Sequence, residues 1–171
     1  MYSNRIFSVI GINIFMNVTK KDRQFIELCE SASKIFSTCA KKQYAAILVD
    51  GLNHIVGFGY NGGPSNHLHC KDGGCPRYLD NSQNGSFYDN CIAIHAEANA
   101  MIHSDYSSNA EKLYVNGPPC FSCAKLIANS KVKKVYYITD PSYVYTNWNE
   151  IETFLQKSNI ETIEVLWQHQ S

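Results

Sequence analysis

The sequence has no excess of charge of either sign, because its 15 Lys and Arg residues balance its 15 Asp and Glu residues. Only three of the cations are arginines, namely Arg5, Arg23 and Arg77. A protein that follows a nucleic acid or lies on an anionic membrane needs a basic surface, which this composition does not supply. We therefore expect neither of these partners, and an anionic ligand would have to be small and held by a few local cations.

Long apolar runs are also missing. The stretch from Ile6 to Met16 is apolar in character, but Asn13 interrupts it, no small-x-small cleavage pattern follows it, and it is too short to span a bilayer. We interpret residues 1–18 as an N-terminal extension and residues 19–171 as one domain, since 171 residues is a common size for a single domain.

Cysteine, in contrast, is abundant. The chain has seven cysteines, and an odd number excludes a fully paired set of disulfides within one chain. Free thiols in this number favour a reducing, intracellular (cytoplasmic) location and raise the possibility of metal sites.

Helical and extended patterns alternate along the chain. An amphipathic helix is predicted to begin at Thr19, which with Asp22 resembles a capping box. Its apolar positions are spaced by three and four residues: Phe25, Leu28, Cys29, Ala32, Ile35, Phe36 and Cys39. After it come a predicted hairpin (44–49 and 54–58), an aperiodic Gly/Asn-rich stretch (59 to about 90), helix 94–103, strand 113–115, helix 120–130, strand 132–139, helix 148–158 and strand 160–167. This order predicts an α/β domain whose mixed sheet carries helices on both faces.

Two short motifs in the second half of the chain suggest a zinc site. His95-Ala96-Glu97 precedes Pro119-Cys120-Phe121-Ser122-Cys123, which together have the H-x-E and P-C-x-x-C pattern of zinc deaminases. Two cysteines three apart at a helix start face the same way, and the helix N-terminus favours their thiolates. With neutral His95 as the third ligand, one tetrahedral position stays open, as in catalytic zinc sites.

Glu97 follows His95 by two residues and is predicted to be the proton shuttle rather than a ligand. Zinc lowers the pKa of a coordinated water toward neutrality, and Glu97 could take up that proton and return it to the substrate. A purely structural zinc or a redox pair at Cys120 and Cys123 is the alternative interpretation.

On these motifs the chain resembles the deoxycytidylate (dCMP) branch of the zinc-dependent cytidine deaminase superfamily. The resemblance covers roughly residues 20–145. It also includes Ser37-Thr38-Cys39, Ala45-Ala46-Ile47-Leu48-Val49, Gly59-Tyr60-Asn61-Gly62-Gly63-Pro64, His69-Cys70 and Gly74-Cys75. It implies a three-layer α-β-α fold with a five-stranded mixed sheet, and hydrolytic deamination of dCMP to dUMP.

The resemblance also implies substrate contacts. Asn61 would contact the deoxyribose, with Gly62 and Ala96 beside the nucleotide, and Tyr143 would stack near the base. Members of this branch often carry an arginine shortly before the H-A-E motif, where this chain has apolar residues. The cations left to bind a phosphate are Lys41, Lys42, Lys71 and Arg77.

Four further cysteines are interpreted as ligands of a second, structural zinc, because relatives with a second metal carry a cysteine like Cys39 near this loop. The proposed ligands are Cys39, Cys70, Cys75 and Cys91, with His67 or His69 as a replacement. Such a site would anchor the long loop against the active site, and the alternative is that all four are ordinary buried thiols. Cys29 is interpreted as a core residue.

The alternatives to dCMP are another nucleotide, such as dCTP or a 5-modified dCMP, or a free nucleoside. From a different class, the chain could be a non-catalytic, zinc-stabilised nucleotide-binding module. The resemblance further implies activation by dCTP, for which Mg²⁺ is a candidate companion ion, inhibition by dTTP, and assembly into homohexamers.

Overall fold

The fold is a five-stranded mixed sheet between two layers of helices. A computed structural model describes residues 18–81, 90–104, 109–139 and 147–166. The strands are β1 (Ala45–Asp50), β2 (Ile55–Tyr60), β3 (Ala110–Val115), β4 (Lys134–Tyr137) and β5 (Glu161–Glu164). The helices are α1 (Lys20–Phe36), α2 (Pro76–Leu79), α3 (Ala96–Ile102), α4 (Phe121–Ala128) and α5 (Trp148–Lys157), and a 3₁₀ turn spans Cys70–Asp72.

The sheet has the order β2-β1-β3-β4-β5. β1 pairs antiparallel with both β2 and β3, whereas β3, β4 and β5 run parallel. The predicted hairpin and the predicted mixed sheet are therefore confirmed, and the strand bounds differ from the predicted ones by a few residues. Among the described residues, no helix combines the length and apolar character that crossing a membrane requires.

Helix α1 begins as predicted, with a complete capping box between Thr19 and Asp22. Its buried face, however, differs from the predicted one, because Leu28, Ile35 and Phe36 are exposed. The helix ends at Phe36, so Cys39 lies beyond it. The buried residues of α1 are Asp22, Phe25, Ile26, Cys29, Ala32 and Ser33.

Successive side chains of each strand point to opposite faces of the sheet, so the protein has two cores, one on each face. On one face, Ile47 of β1 and Tyr114 of β3 pack with Phe25 and Ile26 of α1. The core on the other face joins the sheet to three helices, and its helical members are Ala96 and Ala100 of α3, Ala124 and Ile127 of α4, and Ile151 and Leu155 of α5. This is the predicted α-β-α layering.

Helix α3 approaches β2 closely because Gly59 has no side chain. A Cβ at Gly59 would lie 2.2 Å from the backbone nitrogen of Ala100 and 2.4 Å from the backbone oxygen of Ala96. Because these atoms belong to the helix backbone, α3 would have to shift to accommodate any side chain. Gly59 therefore sets the position of α3 on the sheet.

Replacing Gly59 with alanine is expected to lower the free energy of unfolding by about 2–3 kcal/mol, because overpacking against backbone cannot be relieved by a rotamer change. Urea denaturation measures this effect. Gly51→Ala is the control, since the nearest atoms to a Cβ there belong to the end of the Glu111 side chain, at 3.3 Å or more. Equal stabilities of the two variants would contradict the close approach.

Candidate functional site

Two helix N-termini bring the predicted metal ligands together on one face of the sheet. His95 is the N-cap of α3, Cys120 is the N-cap of α4, and Cys123 lies in the first turn of α4. Both N-caps have extended backbones. The positive end of each helix dipole stabilises thiolate at this position.

The three side chains form a compact cluster. The Sγ atoms of Cys120 and Cys123 lie 3.3 and 3.4 Å from Nδ1 of His95. Tetrahedral zinc with ordinary Zn–N and Zn–S bonds places neighbouring ligand atoms roughly 3.5 Å apart. The set therefore fits a zinc ion with one position left for a water or substrate. In the described part of the chain, no other three His, Cys, Asp or Glu side chains have ligand atoms all within 4.8 Å of one another.

The electrostatics of this cluster favour ionisation of one of its two sulfurs, that of Cys120. A hydrogen bond with Cys123 lowers the pKa of the Cys120 thiol to about 4, and His95 adds to this effect. The pKa of His95 is raised, first by its hydrogen bond with Cys120. The pKa of Cys123 is raised because its thiol shares hydrogen bonding with Cys120 and because it is buried. Bound metal would replace the shared proton.

Glu97 lies in the first turn of α3 and is 6% exposed. Burial raises the pKa of its carboxyl above the usual value, while the backbone and neighbouring His95 act in the opposite direction. Its carboxyl also interacts with the Cys123 side chain. A buried carboxyl beside the metal ligands, with a raised pKa, suits a group that takes up and returns a proton near neutral pH.

A cavity of about 620 Å³ opens onto this cluster. Its volume is in the range of small-molecule sites. The reacting groups His95, Glu97 and Cys120 line it together with Ala96 and Asn61. The remaining predicted residues on its wall are Cys39, Lys41, Lys42, Arg77, Cys91 and Cys123.

Asn61 is buried in the cavity wall, and its side chain is hydrogen-bonded to three residues of the segment that follows α1. Its Oδ1 accepts hydrogen bonds from the Ser37 hydroxyl at 2.6 Å and from the Tyr44 amide at 2.8 Å. Its Nδ2 donates to the carbonyl oxygen of Lys42 at 2.8 Å, which uses one of the two amide hydrogens. Asn61 therefore has a structural role in addition to its predicted contact with the sugar.

Gly62 is not part of the cavity lining and instead connects the loop to the segment before His95. It exchanges two backbone hydrogen bonds with Ile94, at 2.8 and 3.2 Å. A Cβ at Gly62 would lie 2.3 Å from Oγ1 of Thr38. The close packing on both sides explains why glycine is needed here.

The sequence did not indicate the aromatic residues of the cavity. Tyr44 and Trp148 line it, and the Trp148 ring packs on Tyr137 at 4.7 Å between centroids while its Nε1 donates to the Tyr137 hydroxyl. A tryptophan at the first position of α5 carries no local signal of a binding role. Tyr143, the predicted stacking aromatic, lies outside the described residues.

Of the four cysteines in the predicted second zinc site, two line the cavity and two are buried away from it. Cys39 and Cys91 line the cavity, whereas Cys70 and Cys75 are buried and hydrogen-bonded to each other. Burial raises the pKa of Cys70 to about 11. Burial acts on Cys75 in the same direction, but amides of neighbouring residues donate to its sulfur and lower its pKa overall.

Comparisons with known proteins agree with this geometry. Residues 19–139 match the family model described as the cytidine and deoxycytidylate deaminase zinc-binding region. The deoxycytidylate deaminase of Schizosaccharomyces pombe is 36% identical over 120 residues, which cover 69% of this chain and 37% of that protein. The deoxycytidylate deaminase of Mycobacterium phage D29 is 34% identical over 122 residues, covering 68% of this chain and 92% of that protein.

Among solved structures, the dCMP deaminase of the cyanophage S-TIM5 in complex with dCMP and dUMP is similar, with a TM-score of 0.63 and 26% identity. The match covers 87% of this chain and 100% of that chain. The chain thus spans just over a third of the S. pombe relative but nearly all of the phage D29 relative. The predicted resemblance and the predicted fold are both confirmed.

Proposed function

The chain belongs to the cytidine and deoxycytidylate deaminase family, and from this premise we propose that it hydrolyses dCMP to dUMP and ammonia. The observation that carries the proposal is the buried Glu97 carboxyl beside the His95, Cys120 and Cys123 cluster at a nucleotide-sized cavity. A purely structural metal site needs only its ligands and does not require a proton-transferring carboxyl beside them. The proposal therefore favours an enzyme over a non-catalytic binding module.

The chemistry divides between the metal and Glu97. His95, Cys120 and Cys123 would hold the zinc, which would supply the Lewis acid that makes a water nucleophilic at neutral pH. Glu97 accepts a proton from the attacking water and delivers it to the cytosine ring nitrogen. It then accepts the second proton from the hydroxyl now on C4 and passes it to the amine, which leaves C4 as ammonia while C4 becomes a carbonyl. Water is added and ammonia is lost, so the carboxylate is regenerated.

The substrate contacts in this proposal are those that resemblance implies. Asn61 would donate to or accept from the deoxyribose, Ala96 and Gly62 would flank the nucleotide, and Tyr143 would stack near the base. Asn61 and Ala96 are supported by their place in the cavity wall.

A substrate panel tests the function. Initial rates would be measured with dCMP, dCTP, 5-methyl-dCMP, cytidine and deoxycytidine, with and without added dCTP and dTTP. The proposal expects kcat/KM to be highest with dCMP. A preference for dCTP or for a nucleoside would reassign the substrate, and nucleotide binding by the zinc-loaded protein with no turnover of any substrate would favour the binding module.

We also propose that Cys39, Cys70, Cys75 and Cys91 hold a second, structural zinc, with His67 or His69 as an alternative ligand. The contact of Cys70 with Cys75 and the amide hydrogen bonds to the Cys75 sulfur support this, since such bonds stabilise thiolates that bind metal. Metal would have to draw the remaining sulfurs closer, because no three of the four lie mutually within 4.8 Å.

Replacing Cys75 with serine is expected to lower the zinc content from about two equivalents per chain to about one, since a hydroxyl is a poor zinc ligand. Metal analysis by mass spectrometry of the purified protein measures this. A value of one equivalent in the unaltered protein that does not change in Cys75→Ser would contradict the second site and leave the four cysteines as buried thiols.

The remaining proposals follow from family resemblance. They are activation by dCTP, with Mg²⁺ accompanying it, inhibition by dTTP, assembly into a homohexamer, and a cytoplasmic location. All seven cysteines are free, which suits a reducing compartment. The effector arms of the substrate panel and light scattering test the first three.

A further inference from the structure

The cavity wall contains three cationic side chains besides the metal-binding His95, when the described residues are considered. These are Lys41, Lys42 and Arg77. Lys71, the fourth cation suggested by the sequence, is not part of the lining, and its Nζ donates to the carbonyl oxygen of Ser37 at 3.2 Å. The structure thus separates the three candidate phosphate-binding cations that line the cavity from Lys71, which the sequence alone could not do.

Arg77 differs from the two lysines in its burial. It is 8% exposed, and it belongs to a small set of buried polar or charged residues. Arg77 makes contacts within the protein and also lines the cavity. A guanidinium on the wall of a ligand cavity can meet an anion there with two parallel hydrogen bonds.

The position of Arg77 is fixed by its backbone. It is the second residue of the short helix α2, which begins directly after Cys75, and its amide donates to the Cys75 sulfur. The amide of Ile92 donates to the same sulfur, so this turn is tied to the segment that leads to His95. Arg77 is therefore held at a defined place relative to the reacting groups.

The lysines are placed by Asn61, the residue proposed to contact the sugar. The Asn61 side chain donates to the carbonyl oxygen of Lys42, so Lys41 and Lys42 follow the wall on which the sugar would lie. The 5′-phosphate of a nucleotide is attached to that sugar and carries nearly two negative charges at neutral pH. Cations near the sugar, rather than near the metal, are what a 5′-nucleotide requires.

We propose that Arg77 recognises the 5′-phosphate of the substrate nucleotide, with Lys41 and Lys42 adding positive charge beside it. The inference rests on the proposed deaminase function and adds to it the group that separates a nucleotide from its nucleoside. Arg77 is a specificity-determining residue and takes no part in proton transfer.

The test compares dCMP with deoxycytidine, which share base and sugar and differ only in the phosphate. In Arg77→Gln, KM for dCMP is expected to rise about 30-fold or more, while kcat/KM for deoxycytidine stays within about twofold of the unaltered protein. Arg77→Lys is expected to recover part of the loss, because it keeps the charge but not the two-pronged hydrogen bonding.

Arg23→Gln is the matched control, since Arg23 is exposed on α1 and donates only a long hydrogen bond, of 3.4 Å, to the Leu166 carbonyl oxygen in the described contacts. Zinc content and melting temperature are recorded for every variant. An unchanged preference for dCMP in Arg77→Gln would overturn the proposal, and so would an equal loss with both substrates, which indicates a structural role.

A binding measurement separates failure of this inference from failure of the proposed function. Calorimetric titration with dUMP and with inorganic phosphate needs no turnover. If the unaltered protein deaminates none of the panel substrates but binds dUMP, and Arg77→Gln weakens that binding about 30-fold, the function fails and the phosphate site stands. Equal dUMP affinities in the two proteins overturn the phosphate site whatever the activity.

Discussion

Replacing Glu97 with glutamine is expected to leave the zinc bound and to reduce kcat with dCMP by about 10³-fold. Glutamine has nearly the same volume as glutamate, so the buried first turn of α3 should keep its packing. It cannot take up a proton from water or return one to the cytosine ring, and those transfers are the role assigned to Glu97. Steady-state kinetics and metal analysis of the same preparation measure both quantities.

Glu150→Gln provides the control for this change. Glu150 is an exposed residue in the first turn of α5, so the same substitution at the start of another helix should leave kcat unchanged. Full activity of Glu97→Gln would refute the mechanism. Loss of zinc together with loss of activity would show that Glu97 holds the metal rather than moving protons.

The metal cluster and Glu97 could be predicted from the sequence because each depends on short spacings. Cys120 and Cys123 are one helical turn apart, and Glu97 is two residues from His95. Each motif also begins a helix, and α3 and α4 both start at those residues. Local geometry therefore determines most of the arrangement, and the sheet only has to place two helix starts side by side.

The buried face of α1 was predicted only in part, and the error has a physical reason. Apolar residues at helical spacing can lie at the margin of the sheet as well as over its centre. Phe36 is half-exposed and packs with the rings of Phe58 and Tyr60 on β2, the edge strand. Phe25 and Cys29 cover the sheet as predicted, whereas Ile26, which also belongs to this core, was missing from the predicted face.

The cavity wall could not be derived from the sequence because its residues come from distant segments. Lys42, Arg77 and Trp148 share it although each lies more than 30 residues from the next. No periodicity or spacing records such contacts. The sequence could therefore name candidate phosphate-binding cations, and the structure separates them because Lys41, Lys42 and Arg77 line the cavity whereas Lys71 does not.

Replacing Cys123 with serine is expected to remove one equivalent of zinc per chain and to reduce kcat with dCMP by at least about 10³-fold. Two ligands remain in this variant, and a serine hydroxyl neither ionises at neutral pH nor binds zinc well. Cys123 is buried at the start of α4, so the serine hydroxyl has no route to compensate by moving. Metal analysis after dialysis against a chelator, with kinetics on the same sample, measures both effects.

Cys29→Ala is the matched control because Cys29 is also buried but belongs to the core between α1 and the sheet. Its thiol donates to the carbonyl oxygen of Tyr114, burial raises its pKa, and it is not among the residues that line the cavity. The variant should lose about 1 kcal/mol of stability and keep its zinc and kcat. If Cys123→Ser instead kept its zinc and its activity, the catalytic metal would have to be bound elsewhere. If it lost zinc but kept its activity, deamination would not depend on the His95, Cys120 and Cys123 site. The paired variants therefore separate the loss of any buried sulfur from the loss of a metal ligand.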